Sequence, residues 1–235
     1  MNNAGVSVII PSFNEIRTLP ALLERLQKLD WKTIAARKEI IVVDDGSNDG
    51  TTDFLKQFAD KKDFKIISQP NTGKGGAVRT GLRVASQDII IIQDADLEYD
   101  PEEYPRLLGP ILKGAADVVY GSRFTGSDPH RVLYFYHYLG NKFLTFLTNL
   151  LANLNLSDME TGFKAFKREV FNNIILTERD FRFEPEVTIK LARKNYRFYE
   201  VGISYYGRSY AEGKKIRWTD GVKAIGAILK HGFFS

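Results

Sequence analysis

Hydrophobic residues in the first half of the chain fall into short continuous runs, separated by stretches with helical spacing. The runs predict five buried strands, at residues 6–11, 39–44, 65–68, 88–93 and 117–121. Between them, helices are predicted at residues 17–29, 51–59 and 75–85. Continuous apolar strands that alternate with amphipathic helices are typical of an α/β fold with a mostly parallel sheet.

Beyond residue 121 this alternation weakens. Residues 132–156 are rich in Leu, Phe and Tyr, but Asn and Thr residues recur among them at helical spacing. They predict an amphipathic helix rather than a membrane span, and its apolar face could be core, a dimer seam or a surface in contact with a bilayer. Core or dimer packing is the favoured interpretation. A helix at 183–194, a strand at 198–206 and an apolar helical stripe from residue 219 are also predicted.

Composition excludes several classes of protein. The 235 residues are 43% hydrophobic and 26% charged, which excludes global disorder. The absence of cysteine excludes disulfides, zinc fingers, iron–sulfur clusters and thiol nucleophiles, so any metal must bind oxygen or imidazole ligands. No apolar run approaches the roughly 18 residues that cross a bilayer, and the first residues do not resemble a signal peptide. A cytoplasmic location is therefore expected, either free in solution or bound peripherally at the inner face of the membrane.

The formal net charge of +4 is unevenly distributed. Residues 1–160 carry 18 basic and 21 acidic side chains, whereas residues 161–235 carry 15 basic and 8 acidic ones. The basic part is either a solvated surface or a face for phosphate-bearing or membrane partners. Nucleic acid is not an expected partner, because the basic residues are scattered and no nucleic-acid-binding motif is present.

Polar clusters follow four of the predicted strands. They are Pro11-Ser-Phe-Asn-Glu15, Asp44-Asp-Gly-Ser-Asn-Asp-Gly-Thr51, Gln93-Asp-Ala-Asp-Leu-Glu98 and Gly121-Ser-Arg123. Helix capping or turn formation explains each cluster singly. Their coincidence at one edge of a parallel sheet indicates a bound ligand, because carboxylates packed together repel one another unless a cation or a hydrogen-bonding group lies between them.

Familiar ligand motifs fit these clusters poorly. The segment from Asp45 to Gly50 begins like a calcium-binding loop, but Lys56 stands where the bidentate Glu is required. Thr72-Gly-Lys-Gly-Gly-Ala77 lacks the hydroxyl residue of a P-loop and the third glycine of a dinucleotide fingerprint. Because these glycines follow a strand and open a helix, they either form a tight turn or let their amides and Lys74 approach an anion.

Asp94 and Asp96 follow a strand of four isoleucines. Unpaired carboxylates are costly at the tip of a strand that is buried on both faces. Oxygen ligands without cysteine suit Mg²⁺ or Mn²⁺, which commonly bridge one or two carboxylates to substrate phosphates. Glu98 is a plausible further ligand.

Taken in their order along the chain, these motifs resemble those of the inverting glycosyltransferases of family 2, and the resemblance covers roughly residues 5–230. The motifs that carry the resemblance are Pro11-x-x-Asn-Glu15, Asp44-Asp-Gly-Ser47, Asn71-x-Gly-Lys-Gly75, Asp94-x-Asp96, Gly121-Ser-Arg123 and Glu160-Thr-Gly-Phe163. The resemblance implies the GT-A fold, with a Rossmann-like, mostly parallel sheet flanked by helices and a C-terminal part that shapes the acceptor site. Within the family the chain looks most like the polyprenyl-phosphate hexose synthases, such as dolichyl-phosphate mannosyltransferase and glucosyltransferase.

The resemblance also implies roles for individual residues. Those that would contact a UDP- or GDP-linked sugar are Pro11, Phe13, Glu15, Asp44, Ser47, Lys74, Asp94, Ala95 and Asp96. Asp94, Asp96 and Glu98 would hold Mg²⁺ or Mn²⁺, with Asp96 binding it directly; related synthases often have Gln in place of Glu98. Arg123 and Arg131 would bind the acceptor phosphate. One domain, residues 1–235, is expected, with a donor half at about 1–122 and an acceptor half at about 123–235.

The chemistry of sugar transfer indicates further candidate residues. The charge that develops on the departing nucleoside diphosphate must be neutralised by a metal and by cations such as Arg208 or Lys214. A phosphate acceptor is already anionic and needs mainly positioning. A sugar hydroxyl needs a base, for which Asp158 and Glu160 are candidates, although Asp158 could instead cap a helix. Glu184 could face the sugar or cap its own helix.

Three functions remain open on these grounds. The leading hypothesis is metal-dependent transfer of a hexose from a nucleotide-sugar to polyprenyl phosphate, with Asp96 and Arg123 in the catalytic set. A rival enzyme would transfer the sugar to a glycan hydroxyl in polysaccharide or cell-envelope synthesis, with Asp158 or Glu160 as base. A rival of another class is a non-catalytic nucleotide-sugar sensor. A membrane surface and a homodimer are further candidate partners.

Overall fold

One mixed sheet organises the chain. The computed structural model describes residues 4–126, 131–132, 134–209, 212 and 218–234. Within these ranges seven strands pair in the order β3-β2-β1-β4-β6-β5-β7. The strands are β1 (Gly5–Ser12), β2 (Arg37–Asp44), β3 (Phe64–Ser68), β4 (Ile89–Ile92), β5 (Val118–Ser122), β6 (Lys164–Lys167) and β7 (Phe198–Gly202).

Helices connect and cover these strands. In the described part of the chain they are α1 (Leu19–Lys28), α2 (Trp31–Ile34), α3 (Thr51–Leu55), α4 (Lys74–Val84), α5 (Tyr104–Leu112), α6 (Phe135–Ala152), α7 (Phe183–Arg193) and α8 (Trp218–Phe234). None of the described helices has both the length and the apolar character that crossing a bilayer requires.

The predicted strands and most of the predicted helices are confirmed. Each of the five early strands lies within two residues of its predicted ends. The strand predicted at 198–206 ends at Gly202, and the helix predicted at 51–59 is α3 followed by a 3₁₀ turn, Lys56–Phe58. The sequence patterns did not reveal β6, which begins with a lysine, or α5, which contains Pro105 near its start and Pro110 in its interior.

The strand directions bring the predicted polar clusters to one end of the sheet. Strands β1 to β4 pair in parallel, with Ser12 opposite Asp44 and Ile9 opposite Ile92. Strand β6 runs antiparallel to both β4 and β5, so β5 has the same direction as β4. The loops that follow β1, β2, β4 and β5 therefore leave from the same end of the sheet, where ligands of open α/β sheets bind.

The two faces of the sheet carry separate layers. On one face, Leu22 of α1 and Leu107 of α5 pack with Val8 of β1. On the other, Val187 of α7 and Ile228 of α8 pack with Ile92 of β4. Alternate residues of each strand thus reach opposite hydrophobic layers, which accounts for the continuous apolar runs in the sequence.

Helix α6 is amphipathic, as the sequence predicts, and its apolar residues are divided between the core and the surface. Leu144, Leu147 and Leu151 pack against the core layer of α7 and α8. On an adjacent side of the helix, Phe143 and Phe146 are 52% and 62% exposed. The core interpretation is therefore confirmed for Leu144, Leu147 and Leu151 and does not hold for Phe143 and Phe146.

Candidate active site

The loops after β1 and β2 are bonded to one another. The backbone N–H of Asn14 donates to Ser47 Oγ at 2.9 Å, and the N–H of Asn48 donates to Asn14 Oδ1 at 2.8 Å. Asp44 is buried and accepts hydrogen bonds from the Ser47 N–H at 3.2 Å and the Thr52 hydroxyl at 2.5 Å. Asp44 and Ser47 therefore shape this double loop. Beside it, Pro11 is half-buried and Phe13 is 38% exposed.

Carboxylates from two of the loops surround one guanidinium. Arg208 Nη2 lies 3.0 Å from Asp96 Oδ2, while its Nη1 and Nε lie 3.4 Å from Glu15 Oε2 and Glu98 Oε1. The Arg208 backbone N–H also donates to Glu98 at 2.9 Å. Leu97, between the two acidic residues, has a φ of 63°, a region that leucine rarely adopts. The strained turn presents the side chains of Asp96 and Glu98 to the Arg208 guanidinium.

Burial and like charge together raise the pKa of Asp96. Burial has the largest effect, followed by repulsion from Glu98 and Asp94; Arg208 opposes them, and the resulting pKa is about 7. A cation that binds beside such a carboxyl group stabilises its ionised form. Asp96 thus has the electrostatic character of a cation ligand.

Lys74, at the start of α4, links two further carboxylates. Its Nζ lies 2.8 Å from Asp94 and 2.9 Å from Glu184. Burial alone would lower the pKa of Lys74, but these two carboxylates raise it, so the ammonium stays protonated. Glu184 also pairs with Lys164, a fully buried lysine of β6. The result is a buried row of alternating charge, Asp94–Lys74–Glu184–Lys164.

Glycines allow this row to assemble. A Cβ on Gly162 would lie 1.9 Å from Asp94 Oδ2 and 3.2 Å from Lys74 Nζ. On Gly73, which has a φ of 88°, a Cβ would lie 2.6 Å from the carbonyl oxygen of Arg179. Asp45 accepts the backbone N–H groups of Thr72 and Gly73, at 2.9 and 2.7 Å. The glycine-rich segment is therefore a tight turn, with these amides already hydrogen-bonded inside the protein.

Arg123 follows β5 and is held rigidly. Its Nε and Nη2 donate to the two carboxylate oxygens of Asp158 at 2.6 and 2.7 Å, and its backbone N–H donates to Asp158 at 3.1 Å. The Asp158 side chain is completely buried. Glu200 in turn accepts the backbone N–H groups of Ser157 and Asp158. Because both oxygens of Asp158 are bonded to Arg123, its carboxylate orients the arginine.

Glu160, the other base candidate, is not bonded in the way that Asp158 is. Its Oε1 is buried and has no hydrogen-bond partner in the described part of the chain. Burial is the main effect that raises its pKa, repulsion from Glu184 adds to it, and the pKa is about 7. Of the two predicted base candidates, Glu160 has the available oxygen.

A cleft of about 320 Å³ opens beside Arg123. Its lining combines two arginines with apolar and aromatic side chains: Arg123, Phe124, Arg131, Val132, Phe135, Tyr138 and Tyr205. Arg131 donates to the carbonyl oxygen of Gly207 at 2.8 Å and to Glu212 at 2.7 Å.

Tyr205 joins the cleft to the acidic cluster. Its hydroxyl donates to Glu98 at 2.6 Å. The Arg123 guanidinium carbon lies 5.2 Å from the centre of its ring, within the range of a cation–π contact. One side chain therefore touches both the acidic loop after β4 and the arginine after β5.

Not every predicted site residue joins this arrangement. Ala95 is 3% exposed and packs in the core with the helices of the α1–α5 face. Lys214 lies outside the described residues. Asp94, Asp96 and Glu98 do not form a three-ligand metal cluster among the described residues. Lys74 binds Asp94, while Arg208 lies against Asp96 and Glu98.

Sequence reasoning did not assign roles to Asp45, Lys164 and Tyr205. Asp45 was visible as the second residue of an acidic pair after β2. Lys164 directly follows a quoted motif, but a lysine in a short polar segment gives no sign that it will be completely buried. Tyr205 reaches the site from far along the chain, and only the tertiary fold reveals its contacts.

Comparisons with known proteins are consistent with this arrangement. Residues 7–175 match the family model described as "Glycosyl transferase family 2". The chain is 29% identical over 220 residues to an undecaprenyl-phosphate 4-deoxy-4-formamido-L-arabinose transferase of Aeromonas hydrophila, covering 91% of this chain and 64% of that protein. It is 33% identical over 218 residues to a dolichol-phosphate mannosyltransferase of Pyrococcus furiosus, covering 90% and 60%. The chain thus spans less than two thirds of the length of these two relatives.

A solved structure has the same fold. Glucosyl-3-phosphoglycerate synthase of Mycobacterium tuberculosis, in complex with Mn²⁺, UDP and phosphoglyceric acid, superposes with a TM-score of 0.72 at 21% identity. The match covers 99% of this chain and 80% of that one. The similarity confirms the predicted GT-A-like fold.

Proposed function

Because this chain belongs to glycosyl transferase family 2, we propose that it transfers a hexose from a nucleotide-sugar to a polyprenyl phosphate with the aid of a divalent cation. The observation that carries the proposal is the double contact of Tyr205. Through it, the acidic cluster suited to a cation and diphosphate adjoins a cleft with two arginines and an apolar lining. Relatives named for transfer to undecaprenyl and dolichol phosphate support the choice of acceptor.

The donor would occupy the crevice at the ends of β1, β2 and β4. Asp96 fits a single carboxylate ligand of Mg²⁺ or Mn²⁺, since burial and repulsion from Glu98 and Asp94 raise its pKa and Arg208 only partly offsets them. The cation, when bound, would neutralise charge on the departing diphosphate. Arg208 would supply a second positive charge to the same phosphates, and Lys74 would hold Asp94 in place. UDP and GDP donors both fit this scheme.

The acceptor phosphate would lie against Arg123 and Arg131. A phosphate monoester has a second pKa near 6, so it is a nucleophile at neutral pH without a base. The protein then has to position it, and the two-pronged contact with Asp158 fixes Arg123 for that purpose. The apolar side chains Val132 and Phe135 would contact the first part of the isoprenoid chain.

This scheme refines the predicted division of the chain. Residues 1–122 supply the carboxylates of the donor site, and residues 123–235 supply the cleft. Arg208 and Glu184, however, reach from the second part into the first. We therefore propose one catalytic domain in which the donor site is complete only when both parts are folded.

A second candidate is transfer to a saccharide hydroxyl, because Glu160 has a free buried oxygen and a pKa of about 7. In that case Glu160→Gln should abolish turnover, and kcat/KM should rise with pH through about 7. If the acceptor is a phosphate, Glu160→Gln should retain most of the activity.

The decisive experiment is a transfer assay with labelled UDP- and GDP-sugars and a short-chain polyprenyl phosphate, with Mg²⁺, Mn²⁺ or EDTA. We expect a lipid-linked product that depends on the metal. Asp96→Asn should abolish it, while Asp53→Asn, at a side chain that is 79% exposed, should not change it. Donor binding without turnover on any lipid phosphate or glycan acceptor would contradict the proposal and favour a nucleotide-sugar sensor.

A further inference from the structure

Two helices on the same face of the sheet expose apolar side chains at the same spacing. On α6 the exposed stripe consists of Phe135, Leu139, Phe143, Phe146 and Leu150, which are 52% to 67% exposed. On α8 it consists of Trp218, Val222, Leu229 and Phe233, which are 41% to 81% exposed. The spacing of three, four or seven residues keeps each stripe on one side of its helix. We name these two stripes together the α6–α8 face.

Both helices bury their other side against the same neighbour. Leu147 and Leu151 of α6 and Ile228 of α8 belong to one hydrophobic layer with Val187 of α7. A Cβ on Gly232 would lie 2.5 Å from Leu151, so α6 and α8 also touch each other directly. Because the two helices pack in the same layer and touch each other, their exposed stripes are neighbours on the surface of the protein.

The charges on these helices have one dominant sign. Helix α6 contains no acidic residue, and the only one in α8 is Asp220, which is paired with Lys223 at 3.5 Å. The side chains of Lys223 and Lys230 are 54% and 59% exposed, and Lys230 lies 2.8 Å from Glu178, whose side chain is only 6% exposed. Apolar and aromatic side chains flanked by lysine are typical of helices that lie in the headgroup region of an anionic bilayer.

The α6–α8 face is continuous with the proposed acceptor cleft. Phe135 belongs both to the exposed stripe and to the lining of the cleft, where Arg123 and Arg131 also lie. A lipid that enters from this surface would meet apolar side chains first and the two guanidinium groups at the inner end.

From the spacing, charge and position of this surface, we infer that the α6–α8 face docks the protein on an anionic lipid bilayer, with α6 and α8 lying along the membrane plane. The inference deepens the proposed function, since a polyprenyl phosphate resides in a bilayer. Binding to vesicles nevertheless requires neither donor nor turnover, so the two can fail separately.

Vesicle flotation with the full chain tests the inference. The probes are vesicles of phosphatidylcholine with and without phosphatidylglycerol, and the variants are Phe143→Ser, Phe146→Ser and the double variant. We expect binding to phosphatidylglycerol vesicles, about a tenfold loss of partitioning for each single variant and a larger loss for the double variant. Lys223→Glu should weaken binding to the anionic vesicles and leave binding to the neutral ones unchanged.

Tyr199→Ser is the matched control. Tyr199 is 46% exposed on β7. It points to the same side of the strand as Val201, which packs in the layer of α1 and α5, on the face of the sheet away from α6 and α8. The Tyr199→Ser variant should bind vesicles as well as the unchanged protein does. Thermal unfolding curves of all variants show whether a loss of vesicle binding comes from a loss of folding.

Two results would overturn the inference. One is that the Phe variants and Tyr199→Ser bind anionic vesicles equally well. The other is that the unchanged protein does not bind vesicles but is a dimer in sedimentation, and Phe143→Ser/Phe146→Ser makes it a monomer; the surface would then contact a second copy. If vesicles are bound but no lipid-linked product forms, docking stands and the proposed function fails.

Discussion

Arg208 Nη2 lies 3.0 Å from Oδ2 of Asp96, the carboxylate that we propose as the ligand of a divalent cation. The same guanidinium is within ion-pair distance of Glu15 and Glu98. Arg208 thus supplies the positive charge that this acidic cluster needs in the absence of ligands. A cation that binds Asp96 has to compete with it, unless the diphosphate of the donor draws the arginine away.

This competition predicts that the metal binds weakly without nucleotide. Replacing Arg208 by Ala removes the internal cation, so Mn²⁺ alone should bind about tenfold more tightly, which corresponds to about 1.4 kcal/mol for one lost ion pair. Titration of the Mn²⁺ electron paramagnetic resonance signal measures this affinity directly. Transfer should nevertheless become slower, since the arginine no longer stabilises the departing diphosphate.

Arg106→Ala is the control, since Arg106 is an exposed arginine beside Glu103 and away from the cluster. It should leave Mn²⁺ binding unchanged. Equal Mn²⁺ affinity in the unchanged protein and in Arg208→Ala would show that the arginine does not compete with the metal.

Two ion pairs of the same shape allow the effect of burial to be measured. Arg123 and Arg197 each donate through the backbone N–H, Nε and Nη2 to one carboxylate, Asp158 and Asp117 respectively. The Arg123 side chain is 10% exposed and that of Arg197 is 52% exposed. Asp117 has a second partner in Lys167, at 2.9 Å.

Arg123→Gln should therefore destabilise the fold far more than Arg197→Gln. The first leaves a completely buried carboxylate without its cation, which costs about 3–5 kcal/mol. The second removes an exposed arginine and leaves Asp117 paired with Lys167, so it should change the stability of the fold little. Urea unfolding of the two variants measures the difference. Equal losses would mean that Asp158 finds another partner or protonates at little cost.

The strand-end clusters were predictable because they depend on local sequence. Four isoleucines mark β4 as buried on both faces, and a polar segment after such a strand must lie at the end of the sheet. Asp94, Asp96 and Arg123 could therefore be predicted to lie at the same end of the sheet. The order of the motifs along the chain also indicated the family.

The partners of these residues could not be predicted in the same way. Arg208 meets Glu15 across 193 positions of sequence, and Lys74 meets Glu184 across more than a hundred. Such pairings depend on where the chain returns to the sheet, which no local pattern encodes. Sequence reasoning therefore identified Asp158 as a base candidate, whereas the tertiary contacts show that both of its oxygens hold Arg123.

Gly162 is a position where even a methyl group should not fit. A Cβ there would lie 1.9 Å from Asp94 Oδ2, so Gly162→Ala has to displace Asp94 from Lys74 or shift the loop before β6. We expect donor affinity to fall by at least tenfold, measured by calorimetric titration with the nucleotide-sugar. The control is Gly109→Ala in α5, where a Cβ meets nothing within 4 Å.

Gly109→Ala should keep donor affinity and stabilise the fold by about 0.5–1 kcal/mol, because alanine is a better helix former than glycine. Donor binding by Gly162→Ala at the affinity of the unchanged protein would show that Asp94 and Lys74 need not be in contact.

The raised pKa of Glu160 makes the stability of the ligand-free protein depend on pH. Burial, with repulsion from Glu184, raises the pKa of Glu160 from 4.5 to about 7, so the folded state binds the proton more tightly than the unfolded chain does. The free energy of unfolding should therefore fall as pH rises from about 4.5 to about 7, by up to about 3 kcal/mol from this residue, and change little above that range. Glu160→Gln removes this share of the decline, and urea unfolding at a series of pH values measures it. Glu169→Gln, at a side chain that is 69% exposed, should leave the profile unchanged. A profile that is identical in the unchanged protein and in Glu160→Gln would mean that Glu160 ionises at its ordinary pKa and has a charged or solvated partner in solution.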